Sequence, residues 1–201
     1  MKNNLIKGTP WVWSDLHFGH KNIAGEACSV WKKGYRTFSS VEEMDDTLIN
    51  QINNYVGRDD TLFLLGDFCI ANHGYIPMYR ERINCKNIHM LIGNHDRHLD
   101  RYAKYFSSIN DVFHLNYNGR QIFMSHYGHR VWKNSHRGAI HLYGHSHGSL
   151  PCLGRSMDVG VDVSYLLFDE YRPFTLDEII VLLEQKDPEF LDHHSEEKNL
   201  K

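Results

Sequence analysis

Five short clusters in the chain carry side chains suited to divalent cations: Asp15-Leu16-His17, Gly66-Asp67, Gly93-Asn94-His95-Asp96, Ser125-His126 and Gly144-His145-Ser146-His147. A mixture of carboxylate, carboxamide and imidazole with no thiolate fits Mn, Fe or Zn better than a structural zinc or a calcium cage. In an extended segment residues two apart face the same way, so Asp-x-His and His-x-His each offer two ligands to one cluster. Gly66, Gly93 and Gly144 precede the ligands, where a backbone without Cβ can turn sharply and leave room for ions; ordinary turn glycines are the plainer alternative. The candidate ligands Asp15, His17, Asp67, Asn94, His126, His145 and His147 exceed the four or so that a tetrahedral ion takes. Two ions sharing a carboxylate, about 3.5–4 Å apart, are the economical answer, clamping both the attacking and the leaving oxygen of a phosphoryl displacement.

Positioning such clusters requires that they lie at strand ends. Residues 11–13, 61–65, 88–92, 121–124 and 139–143 are short apolar runs with β-branched or aromatic content, and each runs forward into one cluster. Loops beyond the carboxyl ends of strands are where α/β folds place ligands. If these strands are parallel and adjacent, all five clusters meet at one edge. Between them, Val41, Met44, Leu48, Ile52 and Tyr55 mark one face of a helix over 41–56, with Ser39/Glu42 or Ser40/Glu43 as capping box. A second helix follows Thr175 and Glu178, and weaker helical patterns cover 75–84 and 97–106. Strands alternating with helices argue for an α/β domain over 1–185, followed by a polar tail over 186–201 that includes His193 and His194.

Composition bounds the partners. The chain has 201 residues, enough for one domain with its own core, and a formal charge of −3 from 22 basic and 25 acidic residues. That balance gives no global attraction to nucleic acid or to an anionic membrane, so affinity for phosphate must be local. No signal pattern or bilayer-length apolar run is present, which makes a cytoplasmic protein the expectation. Cys28, Cys69, Cys85 and Cys152 lack paired spacing and read as reduced and structural. The 15 histidines are the compositional oddity.

Taken in order, the clusters resemble the signature of the calcineurin-like metallophosphoesterase superfamily over residues 15–147, and most closely its small bacterial and phage-type members. The resemblance implies a two-sheet β-sandwich flanked by helices, and a metal-dependent phosphoesterase with two divalent ions, Mn preferred and Fe, Zn or Ni as alternatives. It implies that Asp15, His17 and His147 hold the first metal, that Asn94, His126 and His145 hold the second, and that Asp67 bridges. By the same likeness a metal-bridging hydroxide attacks phosphorus in line, His95 protonates the leaving oxygen, and Asp96 hydrogen-bonds to the His95 ring. The chain departs from many relatives after Gly66-Asp67, where Phe68-Cys69-Ile70 has no second acidic residue; this weakens any transfer from protein-phosphatase branches.

The substrate is less legible. Residues 21–40 mix Trp31, Lys32, Lys33, Tyr35 and Arg36 and read as a flap; Arg36 and Arg97 are candidate forks for a phosphate, with solvated surface as the alternative. His20, His129 and His136 lie near ligand clusters, and Trp132 reads as core before base-stacking platform. The expected partner is a phosphate ester, either a small phosphomonoester or diester or a nucleotide or nucleic-acid end. An end-processing phosphatase or nuclease is therefore the alternative function, with no membrane role and no protein partner inferable. A non-catalytic metal-binding module is the remote reading, disfavoured because neither a ligand nor the acid is missing.

Overall fold

A computed structural model describes residues 5–70 and 73–188 of the chain. Among these residues nine strands form two sheets: β1 (Pro10–Trp13), β2 (Thr61–Leu64), β3 (Asn87–Leu91), β4 (Ser108–Asn110), β5 (Val112–Tyr117), β6 (Arg120–Ser125), β7 (Ile140–Tyr143), β8 (Ser156–Asp158) and β9 (Phe174–Thr175). The helices are α1 (Lys21–Ala24), α2 (Val41–Tyr55), α3 (Ile76–Glu81), α4 (Val161–Phe168) and α5 (Leu176–Glu184). One sheet has the order β4-β3-β2-β1-β9 and the other β5-β6-β7-β8. Both are mixed and flanked by helices, an α/β architecture.

The expected strands are present, and the pairing explains why their sequences are apolar throughout. β1, β2, β3 and β4 run parallel, as do β6, β7 and β8, while β9 and β5 are antiparallel at the edges. Strands buried on both faces read as continuous apolar runs, and every residue of β2 and of β7 is buried. The carboxyl ends of β1, β2 and β3 and of β6 and β7 carry the five clusters. A parallel bridge from Ser14 to Gly160 joins the two sheets there.

Local chemistry sets the helices. Ser40 accepts a hydrogen bond from the Glu43 N–H at 3.0 Å and starts α2, whose Val41, Met44, Leu48 and Ile52 are buried. Each such side chain stabilises the fold by about 1.5–3 kcal/mol relative to exposure. Thr175 and Glu178 close a reciprocal capping box at α5, which lies against β1 and β9.

Two expectations are corrected. The segment expected to be helical over 97–106 is a 3₁₀ helix, Leu99–Tyr105, entered through His98 at φ 63°. Only Leu99 of it is buried, so no apolar stripe holds an α-helix. Over 75–84 the α-helix is confined to α3. The sequence reading missed β4, β5, β8, β9, α1 and α4. Among the described residues, no helix is long and apolar enough to cross a membrane. Most of the expected tail, residues 189–201 with His193 and His194, lies outside the described residues.

Candidate metal centre

Five of the seven candidate ligands have a left-handed backbone: Asp15 (φ 59°), His17 (φ 53°), Asp67 (φ 54°), His145 (φ 66°) and His147 (φ 48°). An extended pair was expected to bring Asp15 with His17, and His145 with His147, to one side; the turns beyond the strands do it instead. Each non-glycine residue in this conformation is strained by roughly 1–2 kcal/mol. Such strain persists where surrounding bonds over-determine the shape. Asp15 N–H donates to Gly66 O at 3.1 Å and His17 N–H to Asp67 O at 2.9 Å, while His145 N–H donates to the Asp15 carboxylate at 2.9 Å. The first, second and fifth clusters therefore brace one another.

All three glycines that precede the ligands are required by ligand side chains, a Cβ on Gly93 falling against the Asp67 carboxylate and backbone nitrogen. A Cβ on Gly66, itself at φ +102°, would stand 2.4 Å from His126 Nδ1, and one on Gly144 would stand 2.4 Å from Asp15 Oδ2.

The side chains gather into two groups of potential ligands, Asp15 with His17 and His147, and Asp67 with His126 and His145, the ligand atoms within each lying within 4.8 Å of one another. In the first, His17 and His147 stack with their Nε2 atoms 3.3 Å apart. In the second, Asn94 Oδ1 lies 3.0 Å from His126 Nε2 and 2.8 Å from His145 Nδ1. Asp67 Oδ2 stands between them, 3.7 Å from His17 Nε2 and 3.5 Å from His126 Nε2. This nitrogen and oxygen donor set, free of thiolate, suits the divalent ions expected from the sequence.

Electrostatics separates the carboxylates. Burial pushes Asp15 up to about 7. Asp67 is pushed the same way by burial, but the hydrogen bond and charge of His126 overcome it and bring Asp67 down to about 2. Burial opposes the charge on His126, yet Asp67 and Asp15 raise it to about 9. Burial, joined by Arg36, drives His17 well below the usual imidazole range.

Asp96 departs from its expected partner. Its carboxylate accepts from three backbone N–H groups, of Asp67 (2.7 Å), Gly93 (2.8 Å) and Phe68 (3.0 Å), rather than from the His95 ring. It thus ties the second cluster to the third, and burial raises it to about 6. His95 is exposed, donates its backbone N–H to Asp67 Oδ1 at 2.9 Å, and sets its ring 5.6 Å from that of His17.

Arg36 also departs from its expected role. It is buried, and its donors are directed at Asp162, Asp15 O, Leu16 O and Met44 Sδ, so it does not face solvent as a phosphate fork. Arg97 is exposed beside the cluster. His20 lies at the rim, its ring 5.7 Å from His17 and 5.3 Å from exposed Trp31. His129 donates its backbone N–H to His141 Nε2, His136 sits in a 3₁₀ turn, and Trp132 is core, bonded to Ala139 O. Sequence reasoning missed Tyr127, exposed and edge-on to His145 at 4.6 Å, although its place directly after His126 was a signal. It also missed Asp162, whose carboxylate accepts from His147 Nδ1 at 2.6 Å.

Comparison with known proteins decides the family. A model of the calcineurin-like phosphoesterases matches residues 9–195. The chain belongs to the calcineurin-like phosphoesterase family. An uncharacterized protein of Methanocaldococcus jannaschii, MJ1445, is 30% identical over 181 residues, covering 86% of this chain and 89% of the relative. The gene 66 protein of Mycobacterium phage L5 is 32% identical over 93 residues, 43% of this chain and 39% of the phage protein. Among solved structures, the protein of unknown function AQ665 from Aquifex aeolicus superposes with a TM-score of 0.63 at 20% identity, over 87% of this chain and 98% of that chain. Members of the family are metal-dependent, and both groups of potential ligands lie within the matched span.

Proposed function

We propose that this phosphoesterase holds two divalent ions, Mn before Fe, Zn or Ni, and hydrolyses phosphate esters without a covalent enzyme intermediate. Asp15, His17 and His147 hold one ion, Asn94, His126 and His145 the other, with Asp67 between. The observation that carries the reading is the placement of Asp67 Oδ2 within 3.7 Å of a ligand nitrogen from each group. When bound, the ions supply Lewis-acid charge and an activated water for in-line displacement. The chain supplies the rest. Asp67, kept charged by His126, is the shared acceptor, and Asp96 fixes the two turns that carry Asp67 and Asn94. His95, exposed at the rim, hands a proton to the leaving oxygen.

A nuclease or end-processing phosphatase is the second reading, favoured by the exposed aromatic rings of Trp31 and Tyr127 on the rim, since bases stack on such faces. Hydrolysis of bis(p-nitrophenyl) phosphate and p-nitrophenyl phosphate, measured with Mn²⁺ and again after chelation, tests the main reading. Metal-dependent turnover is expected; two bound ions with no hydrolysis of any phosphate ester would leave a metal-binding module. Labelled single-stranded and duplex oligonucleotides separate the second reading from a small-molecule enzyme.

A further inference from the structure

We infer that Arg36 and Asp162 are positioning residues for one ion only: together they aim His147 and pin the turn that bears Asp15 and His17, leaving the other ion's ligands untouched. This rests on the two-ion reading above.

Arg36 has five N–H donors. Nε donates to Asp162 Oδ1 at 3.0 Å, Nη2 to Asp162 Oδ2 at 3.1 Å and to Asp15 O at 2.6 Å, and Nη1 to Leu16 O at 3.1 Å and Met44 Sδ at 3.4 Å. All five are engaged. Two of these contacts are carbonyls inside the first cluster, whose left-handed residues need outside support to hold their shape.

The other arm runs through the carboxylate. Asp162, in the first turn of α4, accepts from His147 Nδ1 at 2.6 Å, so this nitrogen carries the hydrogen and Nε2, which lies 3.3 Å from His17 Nε2, is the atom left to ligate. A carboxylate behind a ligating imidazole fixes its tautomer and orientation and makes it a stronger ligand. Residues 36 and 162 are far apart in sequence, yet the pair links the first cluster to the last. Among the described residues, no such charged pair stands behind the imidazoles of the second group. His126 Nδ1 faces the Leu65 carbonyl at 2.8 Å, and Asp96 organises backbone N–H groups near Asp67 and Asn94.

A purely structural role for the pair, fastening residues 25–40 to α4, would lower stability without distinguishing between the ions. Titrating the metal-stripped full-length protein with Mn²⁺ by calorimetry, together with thermal melts of the same samples, separates the two. Wild type should take two ions. Asp162→Asn should weaken one by about 10–100-fold, the usual loss on removing such a partner, and leave the other within about twofold; Arg36→Lys, which keeps the charge but loses the fork, should weaken the same ion. Equal weakening of both, or no weakening, overturns the inference while leaving the two-ion reading intact. Wild type binding fewer than two ions overturns that reading and the inference with it. Should Asp162→Asn not fold, ¹⁵N NMR of the His147 ring in wild type loaded with diamagnetic Zn²⁺ decides: hydrogen on Nδ1 with metal on Nε2 supports the inference, and metal on Nδ1 overturns it.

Discussion

Behind Asp15, His17 and His147 stand a buried guanidinium and a carboxylate, whereas behind Asp67, Asn94, His126 and His145 stand the Leu65 carbonyl and a set of N–H groups gathered by Asp96. Both arrangements orient an imidazole. The charged one also makes His147 more basic: burial opposes its charge, and the bond to Asp162 together with the charges of Asp15 and Asp162 outweighs that and raises it. Two groups a few ångströms apart can therefore hold ions of unequal affinity, and sequential rather than simultaneous filling is the outcome to look for.

His95→Ala should have the largest effect and should fall on neither group: turnover drops on the order of 10²–10⁴-fold while both ions remain, and the loss shrinks for esters with good leaving groups. Steady-state rates paired with metal content check this, and loss of an ion would move His95 into the metal-holding set. Next in size is the one-sided loss for Asp162→Asn described above, about 10–100-fold in affinity. Asp96→Ala should act on the opposite side. It strands the N–H groups of Asp67, Gly93 and Phe68, each at about 1–3 kcal/mol if left unpaired, so a loss of about 3 kcal/mol in denaturant unfolding is expected, with the Asp67-Asn94 ion weakened more than its neighbour.

The smallest effect concerns a histidine outside both groups. Burial drives His141 down to about 3, while an unfolded chain protonates it near 6.5. Its folded value is the depressed one, so its contribution is full above about pH 6.5 and is lost as pH falls toward 3. His126 has the opposite sign, which is why the comparison must be between variants. Wild type should lose about 1–2 kcal/mol more than His141→Gln between pH 7 and pH 5 in urea melts. A parallel pH profile would mean that His141 does not stay neutral in the fold.

The strands carrying the ligands were legible because parallel, doubly buried strands leave unbroken apolar runs, as in Thr61–Leu64. β5 was not, since its alternation of buried Phe113 and Leu115 with exposed Val112 and His114 is diluted by polar residues. A signal existed nonetheless: Asn118 at φ 49° and Gly119 at φ 79° form the Asn-Gly hairpin turn into β6. The ligand types and their order were readable, but not what stands behind them. Asp162 follows an unremarkable Gly160-Val161, and nothing in its neighbours marks it as a partner for a side chain more than a hundred residues away. Arg36 misled for the same reason, because an arginine beside a ligand cluster looks alike in sequence whether it faces a phosphate or a buried carboxylate.

The left-handed turns at Asp15, His17, Asp67, His145 and His147 also govern what mutagenesis can reveal. In a saturation scan, glycine and asparagine fit this conformation and should give soluble chains that are merely inactive, whereas valine and isoleucine should deplete the protein from the soluble fraction altogether. A scan scored on activity alone cannot tell those outcomes apart; one scored on abundance as well separates the donor atom's part from that of the peptide chain that carries it.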